Sequence, residues 1–157
     1  MQPPLEASID IEASPDAVWA VVSDLAAMKR WSPELVGTWL RGRPGVGAKA
    51  VNLNRRKGFV WPTTSRITRW KDPANDSGRG ALAFHVAPTD VEWSYELEPL
   101  DGGSRTRLTE RRTAVVDPSL VVRLTAKLAL GGASSHDERL ERGMKQTLSA
   151  IQSHLER

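Results

Sequence analysis

The middle of the chain, from Val36 to Val116, consists of short segments in which apolar and polar residues alternate. Such alternation predicts β-strands with one buried face, and connectors of hairpin length make consecutive strands antiparallel neighbours. The connectors are rich in Gly, Pro, Asn and Asp, which favour turns. Pro62 cannot donate a hydrogen bond to a neighbouring strand, so we expect a bulge or bend there. The pattern predicts strands over residues 36–41, 47–54, 59–70, 80–86, 90–99 and 104–116.

The two ends of the chain add a further strand and several helices. Residues 5–13 alternate like a strand, and Ser14 followed by Pro15 is a typical helix start. A second short helix ends before Pro33, because the residue preceding a proline avoids helical geometry. An amphipathic helix covers about residues 134–155, with an apolar stripe formed by Leu140, Met144, Leu148, Ile151 and Leu155.

This order of elements predicts an α+β fold formed by a single domain over residues 1–157. We expect a curved antiparallel β-sheet of about seven strands wrapped around a long C-terminal helix. Two short helices lie between strands 1 and 2. A further helix is predicted over residues 119–130, and two interpretations of it are open. It is either a movable lid hinged at Gly131 and Gly132, or a fixed helix with a solvated basic face.

The segment at residues 91–99 has an unusual apolar face. Large rings with polar tips, Trp93 and Tyr95, stand where a plain core would more often have Val, Ile or Leu. The chain as a whole has six Trp against one Tyr and two Phe, and Trp is costly to bury unless its N–H finds a partner. Two interpretations follow: the rings fill a core, or they line a cavity that a ligand occupies.

Composition excludes several classes of protein. Apolar residues at 39% and charged residues at 26% are typical of a soluble globular domain. No apolar run suits a transmembrane helix, and the N-terminus has no signal-peptide pattern. We therefore expect no integral membrane association. Because the chain lacks Cys, disulfides and thiolate chemistry are excluded, and we expect a cytoplasmic protein.

The net charge of +3 says little about partners. Its densest basic cluster is at residues 55–57, which is short for a nucleic-acid-binding surface. We interpret the cluster as a solvated turn rather than a phosphate contact, and we expect no nucleic-acid partner. The oligomeric state is not determined by any pattern in the sequence.

The chain resembles the helix-grip superfamily, which includes START lipid-transfer domains, the birch-pollen allergen and polyketide cyclase/dehydrase-like (SRPBCC-type) proteins. The resemblance covers nearly the whole chain and depends on the order and spacing of several motifs. These are EASPDAVWAVVSDL, RWSPE, PGVGAKAVNLNRRKG, TTSRITRW, WSYELEP with the following DGG, TRLTERR and ERGMKQTLSAIQSHLE. It implies a deep, mostly apolar cavity for a hydrophobic ligand; catalytic activity varies among members.

The resemblance also implies where a ligand would bind. In this family the apolar face of the penultimate strand lines the cavity, so Trp93 and Tyr95 are expected wall residues. Trp31 lies at the end of the second helix, which closes one end of the cavity; its alternative role is to cap the helix–sheet junction. We expect Trp31, Trp61, Phe84, Trp93 and Tyr95 to line the site. Asn54 matches a common family Asn, and we expect its side chain to satisfy the adjacent turn.

Candidate catalytic residues are few. Glu110 shares strand parity with Thr106 and Leu108, so we expect it to face inward, where a desolvated carboxyl could act as acid or base. The alternative is an ion pair at the rim or an outward side chain. The alternation around His85 points it outward. No spacing of His and carboxylates suits a metal, and no phosphate loop or nucleophile elbow is present, so we expect no metal or cofactor.

Three functions remain open from the sequence. The first is a carrier or sensor that binds a hydrophobic small molecule, lipid- or polyketide-like, in the cavity. The second is a polyketide cyclase or dehydratase that uses the same pocket, and the third is an interaction module without a ligand. Convergence of Trp93, Tyr95 and Glu110 on one pocket would favour an enzyme. An apolar pocket without paired ionisable groups would favour a carrier, and a filled interior would favour the interaction module.

Overall fold

The structure is a computed structural model, and it describes residues 4–114 and 133–157. The predicted helix at residues 119–130 lies outside the described residues. Within the described residues, two α-helices and seven strands build the fold, with 3₁₀-helices at Leu25–Arg30, Pro73–Asn75 and Asp101–Gly103. In chain order, the main elements are β1 (Leu5–Ile11), α1 (Pro15–Val22), β2 (Leu35–Arg41), β3 (Lys49–Arg56), β4 (Phe59–Lys71), β5 (Gly80–Ala87), β6 (Val91–Leu100), β7 (Arg105–Ala114) and α2 (Ala133–Leu155).

The seven strands form one antiparallel sheet in the order β1-β7-β6-β5-β4-β3-β2. From β2 to β7 each strand pairs with the next along the chain, as the short connectors predicted. Only β1 pairs out of sequence, because the α1 segment carries the chain across to the opposite edge. The predicted α+β fold, with its C-terminal helix and two short helices after the first strand, is confirmed.

Bulges bend the sheet, but not at the position that the sequence indicated. Pairing of β3 with β4 continues without a shift past Pro62, which lies opposite Leu53. The proline is tolerated because β5 pairs with β4 only from Thr64 onward, so no β5 carbonyl needs an N–H from residue 62. The register shifts instead between Ile67 and Arg69, against β5, and between Leu35 and Gly37, against β3. The expected bulge at Pro62 was therefore wrong.

The turn at residues 57–58 closes the β3–β4 hairpin with two residues. Lys57 and Gly58 have φ angles of 49° and 81°, as the favoured two-residue hairpin turn requires. Arg55 is exposed, and the Arg56 guanidinium lies 3.8 Å from the Glu34 carboxylate. The basic cluster thus occupies a tight turn in which Arg55 and Lys57 are exposed and Arg56 is half-buried beside the cavity.

Helix α1 begins as its sequence predicted and packs on the inner face of the sheet. The Ser14 hydroxyl accepts a hydrogen bond from the Ala17 N–H at 3.3 Å, which satisfies one of the free donors at the helix start. Val18 and Val22 are fully buried. The Trp19 ring meets the Trp70 ring edge to face, with centroids 5.1 Å apart. This cluster closes one end of the core.

Helix α2 covers the sheet next to β1. Met144, Leu148 and Ile151 are at most 1% exposed, so the predicted apolar stripe faces the core. The end of the helix is tied to β1 by two hydrogen bonds. The Gln152 side-chain amide donates to the Asp10 carbonyl at 3.0 Å, and the Glu12 N–H donates to the Glu156 carboxylate at 2.9 Å. Among the described helices, none has an apolar run long enough to cross a bilayer.

Candidate functional site

A cavity of about 490 Å³ lies between the inner face of the sheet, the Leu25–Arg30 helix and α2. This volume falls in the range of small-molecule pockets. Strands β2 to β7 all contribute lining side chains, and α2 forms the opposite wall. The apolar part of the lining is formed mainly by Leu25, Met28, Phe84, Trp93, Leu140 and Met144.

Strand register brings most of the predicted site residues together. Phe84 on β5 pairs with Trp93 on β6, and two residues further on Tyr95 pairs with Glu110 on β7. Because side chains two apart on a strand share a face, these four residues meet on the inner surface of the sheet. Trp61 joins them from β4, so five of the six predicted residues line the cavity.

Trp31 is the exception among the predicted site residues. Its side chain is 8% exposed and belongs to the packed core rather than to the cavity lining. The ring lies 4.8 Å from the ring of His154 near the end of α2, and the Arg30 guanidinium lies 4.8 Å from its centroid. Trp31 therefore joins the 3₁₀-helix to the end of α2. The alternative interpretation, a cap on the helix–sheet junction, stays a prediction.

Glu110 is the most unusual group in the cavity wall. Its side chain is 3% exposed, and its Oε1 accepts a hydrogen bond from the Tyr95 hydroxyl at 2.9 Å. Its Oε2 is buried and has no hydrogen-bond partner in the part of the chain that the structure describes. Burial raises the pKa of Glu110 to about 8, although the Tyr95 hydrogen bond acts in the opposite direction. The inward orientation predicted from strand parity is present, and a rim ion pair is not.

Tyr95 is held in place by its surroundings. The residue is 3% exposed, and its hydroxyl oxygen also lies 3.9 Å from the Met28 sulfur. Since a phenol has one proton to donate, the stronger acceptor, Glu110, takes it. Burial, followed by the neighbouring carboxyl, raises the pKa of Tyr95 well above its usual value. Tyr95 therefore stays protonated at physiological pH and acts as a fixed donor.

A polar wall on β2, β3 and β4 was not predicted from the sequence. Asn52 accepts a hydrogen bond from the Thr38 hydroxyl at 3.1 Å and donates to Thr63 and Ser65 at 3.3 Å each. Asn54 donates to the Trp61 carbonyl and the Thr63 hydroxyl at 3.3 and 3.1 Å. The expectation that Asn54 serves the turn was therefore wrong, because its amide bridges to β4. The sequence did contain a signal for this wall: Asn52 and Asn54 lie two residues apart on β3, so both side chains share one face of the strand.

The remaining candidates lie away from the cavity. His85 is half-buried on the opposite face of β5, as its parity predicted, and its ring pairs with the Asp90 carboxylate. In the described part of the chain, no three His, Asp or Glu side chains converge in a way that could hold a metal ion. The ionisable groups that line the cavity, besides Tyr95 and Glu110, are Glu34, Arg56, Arg139 and Arg142.

Comparisons with known proteins agree with this architecture. Residues 2–156 match the model of the family described as polyketide cyclase / dehydrase and lipid transport. The uncharacterized protein Rv1546 of Mycobacterium tuberculosis (strain H37Rv) is 30% identical over 107 residues, which are 64% of this chain and 69% of that protein.

Solved structures are similar over the whole chain. The Polyketide_cyc-like protein Cgl2372 from Corynebacterium glutamicum is 29% identical with a TM-score of 0.61, and 99% of this chain and 94% of that chain are covered. The di-domain ARO/CYC BexL from the BE-7585A biosynthetic pathway is 19% identical with a TM-score of 0.66, a likeness of fold alone. The match covers 99% of this chain but 47% of BexL, so the chain spans about half its length. The chain belongs to the polyketide cyclase / dehydrase and lipid transport family.

Proposed function

We propose that the protein binds a hydrophobic small molecule, lipid- or polyketide-like, in the cavity between the sheet and α2, as a carrier or sensor. The observation that carries this proposal is the 490 Å³ space with Phe84 and Trp93 side by side in its wall. A core that served only for stability would be filled, because protein interiors are packed at crystal-like density. We expect the protein to do this in the cytoplasm.

Burial of an apolar ligand supplies the driving force. At roughly 25 cal/mol per Å², burying about 400 Å² of apolar ligand surface contributes on the order of 10 kcal/mol before the cost of association. That cost leaves a dissociation constant in the micromolar range for a medium-sized molecule. The few polar groups in the wall would orient the ligand rather than hold it.

The test is a titration of Trp fluorescence with fatty acids, sterols and aromatic polyketides. A ligand next to Trp61 and Trp93 displaces water from two indoles and changes their emission. Trp93→Ala should weaken binding with only a modest loss of melting temperature, because it enlarges an existing space. The matched control is Trp39→Ala, since Trp39 is 59% exposed and does not line the cavity. The control should bind like the wild type.

Two results would contradict the carrier proposal. One is the absence of binding to any ligand of the panel, together with a loss of about 3–5 kcal/mol of stability in Trp93→Ala, as in a filled core. The other is equal loss of binding in both Trp variants. Native mass spectrometry of the freshly purified protein is an independent check, because a carrier often retains its ligand.

The paired Tyr95 and Glu110 favour a second candidate, a cyclase or dehydratase that uses the same pocket. Convergence of these two residues with Trp93 on one pocket is the arrangement that would favour an enzyme over a carrier. In a dehydration, the neutral Glu110 carboxyl would give its proton to a hydroxyl that leaves as water. The resulting carboxylate would recover a proton from the adjacent carbon.

Turnover separates the two candidates. The protein is incubated with β-hydroxy ketones of polyketide type, and loss of water is followed by mass spectrometry. In an enzyme, Glu110→Gln should abolish turnover while ligand binding persists, because the amide keeps the size of the carboxyl but cannot transfer its proton. Absence of turnover in the wild type, with binding retained, would leave the carrier as the function. The third hypothesis, a module with a filled interior, loses its premise because the cavity exists.

A further inference from the structure

Glu110 Oε2 is a buried atom of the cavity wall whose hydrogen bonding is incomplete among the described residues. Among the described residues, three buried side-chain polar atoms lack a hydrogen-bond partner: Trp31 Nε1, Arg105 Nε and Glu110 Oε2. Of these, only Glu110 belongs to a residue that lines the cavity. A buried polar atom without a partner costs free energy, so such an atom on a residue that lines a cavity points to a ligand atom as its missing partner.

The polar wall on β2, β3 and β4 offers a ligand fewer free hydrogen-bonding groups than Glu110 does. The Asn52 amide group already donates to Thr63 and Ser65, and the Asn54 amide group donates to Trp61 and Thr63. These donors are therefore occupied by neighbouring strands. A polar ligand atom gains more at Glu110, where it satisfies a group that the protein leaves unsatisfied.

The Tyr95 hydrogen bond determines which way Glu110 can act. Because the Tyr95 hydroxyl donates to Oε1, that oxygen is the acceptor of the carboxyl group, and the proton of the neutral acid resides on Oε2. The raised pKa, about 8, keeps the carboxyl neutral at physiological pH. A buried carboxylic acid in this state is a hydrogen-bond donor.

Charged side chains lie next to Glu110 on β7, on α2 and elsewhere in the cavity lining. Arg112 follows Glu110 on the same face of β7 and interacts with Asp137 of α2. Arg139 and Arg142 approach from α2, and Arg56 and Glu34 line the cavity beside β3. The main influences on Glu110 are nevertheless burial and Tyr95, not these charges. The donor state therefore depends on the apolar surroundings of the carboxyl.

We propose that the ligand carries a carbonyl oxygen, and that this oxygen accepts a hydrogen bond from the Oε2–H of Glu110. This inference rests on the proposed ligand-binding function. It adds the class of ligand that the cavity would select, which is an apolar skeleton with a ketone-like group. A carboxylate group is disfavoured at this position, because it would lose its hydration and meet a neutral donor instead of a positive charge. At this point a protonated amine would meet the Oε2–H donor and an Oε1 that already accepts a hydrogen bond from Tyr95.

The experiment compares three probes with one bicyclic skeleton: tetralin, 1-tetralone and 1-tetralol. Calorimetry measures their affinities for the wild type, Glu110→Gln and Glu110→Met at about pH 6.5 and about pH 9.5, on either side of the Glu110 pKa. The reported quantity is the affinity of tetralone relative to tetralin, because this ratio cancels the contribution of the shared skeleton. Glu110→Gln keeps a donor that does not titrate, and Glu110→Met removes the donor at similar size.

At the lower pH, the ratio should be about tenfold higher in the wild type than in Glu110→Met. It should fall in the wild type at the higher pH and stay constant in Glu110→Gln. Equal ratios in the wild type and Glu110→Met, with tetralin still bound, would overturn the inference alone. A preference for tetralol that increases at the higher pH would also overturn it, because it would make Glu110 an acceptor. If no probe binds to any of the three proteins, the proposed function fails and the inference fails with it.

Discussion

The inner face of the sheet has two halves that differ in what covers them. On β1, β5, β6 and β7, the side chains under α1 and α2 are aliphatic and at most 3% exposed: Ile11, Leu82, Leu97 and Leu108. On β2, β3 and β4, the inner face carries hydroxyls and amides that bond to one another across the strands: Thr38, Asn52, Asn54, Thr63 and Ser65. The first half packs mainly against α1 and α2, whereas the polar side chains of the second half lie beside the cavity.

The difference shows that alternation along a strand and burial are separate pieces of information. We call the half formed by β1, β5, β6 and β7 the packed half. Its apolar side chains face inward because helices exclude water there. We call the half formed by β2, β3 and β4 the open half. There Val51 points outward and is 50% exposed, while Asn52 points into the cavity. An inner face that borders a cavity need not be apolar, provided that its polar groups satisfy one another. Tyr95 and Glu110 lie on β6 and β7, within the packed half, and they line the cavity as well.

The largest effect is expected on the packed half, from Leu148→Asp. Leu148 is 1% exposed in the middle of the α2 stripe. Burial of an unpaired carboxylate there costs several kcal/mol, on the order of the total stability of a domain, so we expect unfolding. The control on the same helix is Ser149→Asp, because Ser149 is exposed. Circular dichroism and thermal melting measure both, and a wild-type melting temperature in Leu148→Asp would show that α2 does not cover the sheet.

The packed half was also the part that the sequence predicted well. Local patterns in the sequence determine which face a residue occupies, and they need no information from residues far away in the chain. They predicted the apolar stripe of α2, the cap of α1 at Ser14 and the inward side chains of β6. For the same reason, the inward orientation of Glu110 could be predicted. Its partner could not, because pairing with Tyr95 depends on the register set by the Asp101–Gly103 turn.

The open half was predicted less well, for physical reasons that concern distant contacts. Trp31 was expected at the cavity, but its contact with His154 depends on where the end of α2 lies. The polar wall was missed because propensity favours Val51, not Asn52, as the buried residue of β3. Pro62 was expected to disturb the sheet, and it does not, because β5 ends before reaching it.

The second largest effect is expected at Glu110, as a dependence of stability on pH. Glu110 has a pKa of about 8 in the folded protein against an ordinary value of 4.5, so the folded state binds the proton more tightly than the unfolded state. Stability from this group is complete below about pH 4.5, falls between pH 4.5 and 8, and is lost above pH 8. The total loss is up to roughly 5 kcal/mol.

Glu110→Gln isolates this contribution. The amide oxygen can still accept the Tyr95 hydrogen bond, but the group does not titrate. Urea unfolding at a series of pH values should therefore show a stability difference between the variant and the wild type that shifts in favour of the variant as the pH rises. A difference that stays constant between about pH 5 and pH 9 would mean that water reaches the carboxyl and that its pKa is ordinary.

The smallest effect is expected on the open half, from exchanging the character of neighbouring positions on β3. If Val51 were the buried residue and Asn52 the exposed one, Asn52→Val would stabilise the strand and Val51→Thr would weaken it. The structure predicts the opposite order. Asn52→Val deprives the hydroxyls of Thr38 and Ser65 of their partner and should cost about 1–2 kcal/mol.

Val51→Thr keeps the branched shape that a strand favours and changes a half-exposed site, so it should alter stability by less than about 0.5 kcal/mol. The free energies of unfolding of the two variants, measured in urea, decide between the two orders. If Asn52→Val is more stable than the wild type, the amide wall is not a satisfied network. The contrast between the two halves of the sheet would then reduce to a difference in packing. If the predicted order is found, the amides have a structural role, and Glu110 remains the cavity's unsatisfied polar group.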